Sequence, residues 1–351
     1  MILSLDVQTM LDKIETAEQL NDVMSYPTNE VTSAMSKLEG DLLVLGVGGK
    51  MGPTLAKLAK RAIDNANLDN KVIGVSRFSV HGIDEELKKS GIETITCDLL
   101  DDDQLFKLPG APNVIFMAGR KFGSTDNKSL TWAMNTYLPG RVAQKYRNSK
   151  IIVFSTGNVY PLTMITAGGS RELGPIGPIG EYAQSCLGRE RIFEHFSNQF
   201  NTPVTIIRLN YAIDLRYGIL LDVAQKVASQ HAIDLTMGNV NVIWQGDANA
   251  IVLRAFTLCQ SPPVILNLSG PETVSVRHLA NRFGEIFDTL PIFESEESET
   301  SLLTNTSRCH KIFGYPKVSL DQMIEWIAYW VQINGITLNK PTKFEIRNGQ
   351  F

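Results

Sequence analysis

Residues Asp41 to Ala56 read DLLVLGVGGKMGPTLA, an apolar run from Leu42 to Leu45 followed by Gly46, Gly49 and Gly52 at intervals of three and then by an amphipathic stretch from about Lys50 to Asn65. A strand that reverses tightly into a helix needs residues without a Cβ where the backbone N–H groups face a diphosphate. The strand before the glycines and the helix after them are the context that separates a dinucleotide-docking turn from an ordinary glycine-rich loop.

The rest of the chain is consistent with a small-molecule enzyme built around that turn. At 351 residues it suits one large α/β unit with a smaller lobe, and its 43% hydrophobic and 20% charged residues describe a globular protein. A net charge of −4 gives nucleic acid no basic surface to follow. Cys97, Cys186, Cys259 and Cys309 lack metal-ligand spacing and the five histidines are scattered, so no metal is expected. No secretory signal opens the chain and no apolar run approaches the ~20 residues of a membrane span, so the expectation is a cytoplasmic protein with reduced thiols and no membrane partner.

Residues 1–40 read as a helical N-terminal extension, with Thr16 capping AEQLNDVM and Thr28 or Asn29 opening EVTSAMSKL. From residue 41, apolar runs alternate with helical periods. Strands are expected at 42–45, 71–76, 94–97, 113–117, 151–155 and 204–208, and helices near 84–90, 101–106, 128–147 and 181–199. Such alternation implies a doubly wound α/β fold with a parallel sheet and ligands at the strands' carboxyl ends. The Rossmann domain is placed at 41–210 and a substrate-binding lobe at 211–351, with 241–268 returning to the Rossmann sheet. The acidic run Glu294 to Thr300 reads as a solvated loop.

After the second strand come Ser76 and Arg77, where an acid would accept from both adenosine ribose hydroxyls; an arginine there pairs with a 2′-phosphate and favours NADP over NAD. Asp98, in TCDLLD, is placed to accept from the adenine amino group or to cap the following helix.

Several stretches together resemble the extended short-chain dehydrogenase/reductase family, the NAD(P)-dependent epimerase/dehydratase group acting mostly on nucleotide sugars. They are the GxxGxxG loop, Asp98-Leu99, Ala118-Gly119, Asn135 in WAMNTYLPG, Ser155-Thr156 with Val159-Tyr160, Tyr182, Arg208 with Asn210-Tyr211, GDANAIVLRAF, and NLSGPETVSVRHLA. The resemblance spans roughly Asp41 to Val331. It implies that Tyr182 exchanges a proton with a substrate oxygen while hydride passes to or from a nicotinamide, and that Thr156 holds the same oxygen, with Ser155, Asn135 and Cys186 completing the catalytic group. It implies a cofactor site of Gly46, Gly48, Gly49, Lys50, Met51, Gly52, Ser76, Arg77, Asp98, Leu99, Ala118, Gly119, Arg120, Asn135, Tyr182, Leu209 and Asn210. Substrate would meet Asn158, Tyr160, Asn210 and Tyr211. A homodimer through the helices at 128–147 and 181–199 is also implied.

The departure is at the family's YxxxK motif, which here is Tyr182-Ala-Gln-Ser-Cys186. A lysine ~4 Å from the phenol is worth roughly 4 kcal/mol at an effective dielectric near 20, about three pKa units. Without it Tyr182 is expected to stay protonated at neutral pH. Three outcomes fit: another cation (Arg189, Lys50 or Arg120) supplies the charge, the enzyme runs as a reductase, or the site has become a dinucleotide-binding sensor or scaffold. Gly157 and Asn158 stand where dehydratases carry acidic residues, which disfavours dehydration. Trp244 and Gln245 in NVIWQGD weaken a uridine or thymidine diphosphate assignment.

Overall fold

The protein is described by a computed structural model covering residues 11–350; the first ten residues of the expected N-terminal extension lie outside the described residues. Seven parallel strands form one sheet: β1 (Leu42–Leu45), β2 (Val72–Ser76), β3 (Glu93–Thr96), β4 (Asn113–Phe116), β5 (Lys150–Thr156), β6 (Val204–Leu209) and β7 (Val264–Leu268). Their spatial order is β7-β6-β5-β4-β1-β2-β3. The sequence order reverses between β1 and β4, whose registers pair Leu42 with Asn113 and Leu45 with Phe116. At such a reversal the crossovers diverge and leave a crevice beyond the strand ends.

β1 is buried throughout because the sheet is covered on both faces. Leu42 and Val44 pack with α2 (Asn29–Met35), α3 (Gly52–Asn65) and α9 (Gln245–Arg254), whereas Leu43 and Leu45 pack against the opposite layer. That layer includes α5 (Asp102–Lys107), α6 and α7 (Gly180–Phe200). Helix α6 runs from Lys128–Trp132 through a π-helical turn, Ala133–Tyr137, into Leu138–Lys145. Helix α4 (Ile83–Lys89) connects β2 to β3.

The second lobe has its own core, in which α8 (Ile219–Ala228), α10 (Val276–Phe287) and α12 (Leu320–Gln332) pack around Trp244, Trp326 and Trp330. The short helix α11 (Ser307–Phe313) returns Cys309 to the Rossmann core. The sequence reading leaves residues 219–228 among the loops after Asn210, although the buried residues of α8, among them Leu220, Val223, Ala224 and Val227, recur at helical spacing.

The described part of the N-terminal extension is a clasp. Thr16 caps α1 (Ala17–Met24) by accepting from Gln19 N, and Thr28 caps α2 by accepting from Val31 N. Leu20, Val23 and Met24 enter the core of the second lobe, while Val31, Met35 and Leu38 enter the Rossmann core. The extension therefore couples the two lobes whose junction forms the cleft described next.

Candidate active site

The turn after β1 shows why glycine is required. Gly46 has φ +94°, and a Cβ there would lie 2.6 Å from Ala118 N; one at Gly52 would lie 2.1 Å from Val47 O. Gly49 instead is exposed and faces open space, with Gly46 O its nearest neighbour at 3.4 Å from a Cβ. The first turn of α3 carries no side-chain cap, so its N–H groups stay available at the positive end of the helix dipole. An open glycine beside uncapped amides fits a diphosphate. Gly48 approaches the Ser76 hydroxyl, Met51 stands at the head of α3, and Arg77 is exposed at the end of β2. Asp98 accepts from Leu100 N, whereas Asp101 caps α5, so Asp98 forms a turn and leaves capping to its neighbour. Leu99 and Ala118 are buried, and Gly119 is exposed beyond β4.

From the glycine turn a cleft of about 270 Å³ runs between the lobes, lined among others by Gly49, Lys50, Lys121, Thr156, Asn158, Tyr182, Leu209, Asn210, Tyr211 and Tyr217. Tyr211 holds φ +45°, a left-handed conformation that a bulky residue keeps only where the surroundings enforce it. Asn210 donates to Leu302 O, fixing the loop after β6 to the second lobe.

Tyr182 and Thr156 are hydrogen-bonded to each other within this cleft. The Thr156 hydroxyl accepts from Asn158 N and Asn158 Nδ2, both at 3.2 Å. A hydroxyl has one hydrogen and two acceptor sites, so its own hydrogen is left for the Tyr182 oxygen. Cys186 lies beside the phenol, so Asn158, Thr156 and Tyr182 form a row that ends at the sulfur. Burial raises the Tyr182 pKa above the ordinary tyrosine range, and the nearby sulfur adds to the shift. Burial also raises the Cys186 pKa, so the group in the lysine's place is a neutral thiol.

Other expected site residues have different positions. Asn135 is fully buried. Its Oδ1 accepts from Arg120 N and Arg189 and its Nδ2 donates to Arg120 O and Ser185, so it clamps the π-helical turn and does not present its amide to the cleft. Ser155 donates to Glu190, on the far side of β5 from Thr156. Alternate side chains along a strand point to opposite faces, which separates two adjacent hydroxyls into two environments. Tyr160 is buried outside the cleft lining, where it accepts from Arg208 at 2.7 Å and donates to Asn267 at 2.8 Å. Arg189 donates to Phe154 O and Asn135 with all three nitrogens, so only its field reaches Tyr182, where it opposes the upward shift. Arg120 turns back to Gly123 O.

Ser155, Tyr160, Glu190, Arg208 and Asn267 form a buried polar layer under the cleft. Glu190 and Arg208 have side chains only 2% exposed and pair through Arg208 Nε and a 2.7 Å contact of its terminal nitrogen. This layer ties α7, which carries Tyr182, to β5, β6 and β7.

Lys50 and Lys121 also line the cleft. Lys50 Nζ donates to Ala212 O at 2.7 Å and lies 4.2 Å from the Tyr217 ring centre, so it reaches from the glycine turn across to the second lobe. Lys121 Nζ donates to Thr342 O at 3.3 Å. Burial pushes their pKa values down to about 7 and about 8 respectively. Lys121 was legible only as a residue of the loop after β4, and Thr342 carries no local signal at all. Among the described residues no cluster of His, Cys, Asp and Glu suited to a metal occurs, and no helix is long and apolar enough to cross a membrane.

A doubly wound parallel sheet with an open glycine turn at its switch point defines a dinucleotide-binding Rossmann protein. Residues 42–213, just under half of the chain, match the NAD dependent epimerase/dehydratase family. Solved structures share the fold. Pal from Bacillus thuringiensis is 19% identical with a TM-score of 0.68, over 83% of this chain and 99% of its own. A UDP-glucose 4-epimerase of Thermotoga maritima, solved with UDP-glucose, is 17% identical with a TM-score of 0.68, over 84% and 99%. A UDP-glucose 4-epimerase of Thermus thermophilus in complex with NAD is 15% identical with a TM-score of 0.68, over 83% and 99%. No curated protein matches the chain.

Proposed function

We propose that the protein is an NAD(P)-dependent oxidoreductase of epimerase type, acting on a hydroxyl or ketone of a sugar-like small molecule, with Tyr182 as proton donor and acceptor and Thr156 orienting the substrate oxygen. The observation that carries this reading is the directed chain from Asn158 through Thr156 to the Tyr182 phenol, open to a cleft that begins at the glycine turn. The epimerase neighbours, crystallised with NAD or UDP-glucose, support the same chemistry.

The glycine turn would hold the diphosphate of a dinucleotide, whose nicotinamide would supply or accept hydride. The protein's own part is proton management. Tyr182 has no adjacent ammonium and is held neutral, so it enters the reaction with its proton in place. A neutral phenol is a competent donor to a forming alkoxide and a poor base, which makes carbonyl reduction the favoured direction at neutral pH. With substrate bound, the phenol turns its hydrogen to the substrate oxygen, and the Thr156 hydroxyl turns its own from the phenol to that same oxygen. The cofactor preference is for NADP, through Arg77, and the partner is a second copy of the chain through α6 and α7, where Trp132 and Tyr137 are exposed.

The test is to saturate the protein with NADPH or NADP⁺ and follow cofactor absorbance against a panel of keto sugars, sugars and nucleotide sugars. Tight cofactor binding with no redox change across the panel favours the sensor reading. Cys186→Lys is expected to restore an ammonium beside the phenol, raising the rate of alcohol oxidation at neutral pH about tenfold or more and moving its pH profile to lower pH. An unshifted profile contradicts the role given to the missing lysine. Arg77→Ala is expected to weaken NADPH binding about tenfold with NADH little changed, as loss of one charged hydrogen bond implies; equal losses, read by cofactor fluorescence, refute the 2′-phosphate contact.

A further inference from the structure

The cleft carries a second set of features that hydride and proton transfer do not use. Two lysines on separate loops, one after β1 and one after β4, both line a space of about 270 Å³. The ammonium of Lys50 is bonded to a neutral carbonyl, Ala212 O. The nearest acids act on these lysines through their charge while hydrogen-bonding other groups: Asp214 is held by the Nε and a terminal nitrogen of Arg216 at 3.0 and 2.8 Å, and Asp222 accepts from Thr342 N and Oγ1 at 2.8 and 2.6 Å.

The C-terminal segment reaches the same space. Leu338 N donates to Arg216 O, Thr342 is tied to Asp222, and Phe344 is buried in the second lobe. Arg347 donates to Thr236 O and Thr300 O, and Gly349 packs against the backbone of Ile179 and Gly180 at the start of α7. Thr342 thereby becomes part of the cleft lining. Pockets for drug-sized ligands begin at about 300 Å³, so this space is small even before a nicotinamide takes its share.

We infer that the cleft takes a compact substrate bearing a carboxylate or a phosphate, held between Lys50 and Lys121 under the C-terminal strap, and not a nucleotide-linked sugar. The inference rests on the oxidoreductase reading for the identity of the reacting carbon, while the charge recognition is measurable without turnover. Two partly desolvated ammonium groups facing one small cavity oppose each other's protonation, and an anion between them relieves that cost and forms two charge-assisted bonds. A nucleotide diphosphate extends well beyond such a space.

The experiment is calorimetric titration of the NADPH-saturated protein with D-gluconate, D-glucose 6-phosphate, D-glucose and UDP-glucose. At least one of the two compact acids is expected to bind about tenfold or more tightly than both glucose and UDP-glucose, and which one does so separates the carboxylate from the phosphate. Lys50→Gln and Lys121→Gln should each remove most of that advantage, and Lys50→Arg and Lys121→Arg should keep it. The unmodified protein gives a second reading, because the advantage should fall about tenfold between about pH 6 and about pH 9 as the two lysines discharge. The groups facing Lys50 are Asp214, Arg216, Asp222 and Lys121, and those facing Lys121 are Asp222, Cys186, Lys343 and Glu345. UDP-glucose binding most tightly, the acids binding no better than glucose, Gln variants that keep the advantage, or a flat pH dependence each overturn the inference. Lysine-dependent binding of an acid, with neither NADP⁺ reduced by that acid nor NADPH oxidised by its keto form, leaves it standing and counts against the redox reading instead.

Discussion

Tyr182→Phe is expected to lower the rate of carbonyl reduction about 10³-fold while leaving NADPH affinity within about twofold, because the substitution removes one proton and almost no volume. The expectation follows from the direction of the hydrogen bonds. Both acceptor sites of Thr156 are taken by Asn158, so its hydrogen goes to the Tyr182 oxygen and the phenol's own hydrogen is the one proton in the row that can be given away. Thr156→Val should lose less, about 10²-fold, since the phenol keeps its proton and loses only its aim and the stabilisation of its oxygen. Alcohol oxidation separates the two: Thr156→Val should keep a rate that climbs with pH, set lower at each pH because the Thr156 hydrogen bond favours the ionised phenol, and Tyr182→Phe should lose the climb.

The largest expected effect on stability comes from beneath the cleft. Arg208→Met leaves Glu190 as a buried carboxylate with its ion-pair partner gone, which costs about 3–5 kcal/mol. Equilibrium denaturation of Arg208→Met, Glu190→Leu and the double variant should show a double loss well below the sum of the single losses, because the second substitution removes the charge the first one stranded. Additive losses contradict the description of Glu190 and Arg208 as one unit. Ser155 and Tyr160 share this layer, so Ser155→Ala and Tyr160→Phe should move stability more than catalytic rate.

Strand and helix alternation, the glycine turn, and the caps at Thr16 and Thr28 were readable because each depends on neighbours within a few positions. The pairing of Tyr182 with Thr156 was readable through the family pattern, and the neutrality of the phenol through the absence of a lysine at 186. What could not be read is which of several polar side chains faces the cleft. Asn135 is withdrawn by Arg189, 54 positions away, and Tyr160 by Asn267, 107 positions away. Lys50 belongs to the glycine loop in sequence yet reaches Ala212 across the cleft, and Thr342 enters the lining from a segment with no motif. In each case the deciding contact comes from a distant element, and no local pattern encodes it.

The neutral thiol at 186 has a further consequence for direction. Any oxidant role for this protein has to remove a proton from an alcohol with a phenol whose pKa lies above its ordinary value, whereas reduction only asks that phenol to release the proton it already holds. Reduction by the wild-type protein should therefore be nearly flat through neutral pH, and oxidation should climb with pH.

The central claim, that Tyr182 and hydride transfer act on one substrate carbonyl, is tested most directly by single-turnover transfer from NADPH deuterated at the reactive carbon, in H₂O and in D₂O. For the wild-type protein the account expects both the deuterated cofactor and D₂O to slow the same step, and Tyr182→Phe to remove most of the rate together with the solvent effect. A variant that transfers hydride at the wild-type rate, or a wild-type step indifferent to D₂O, would contradict it.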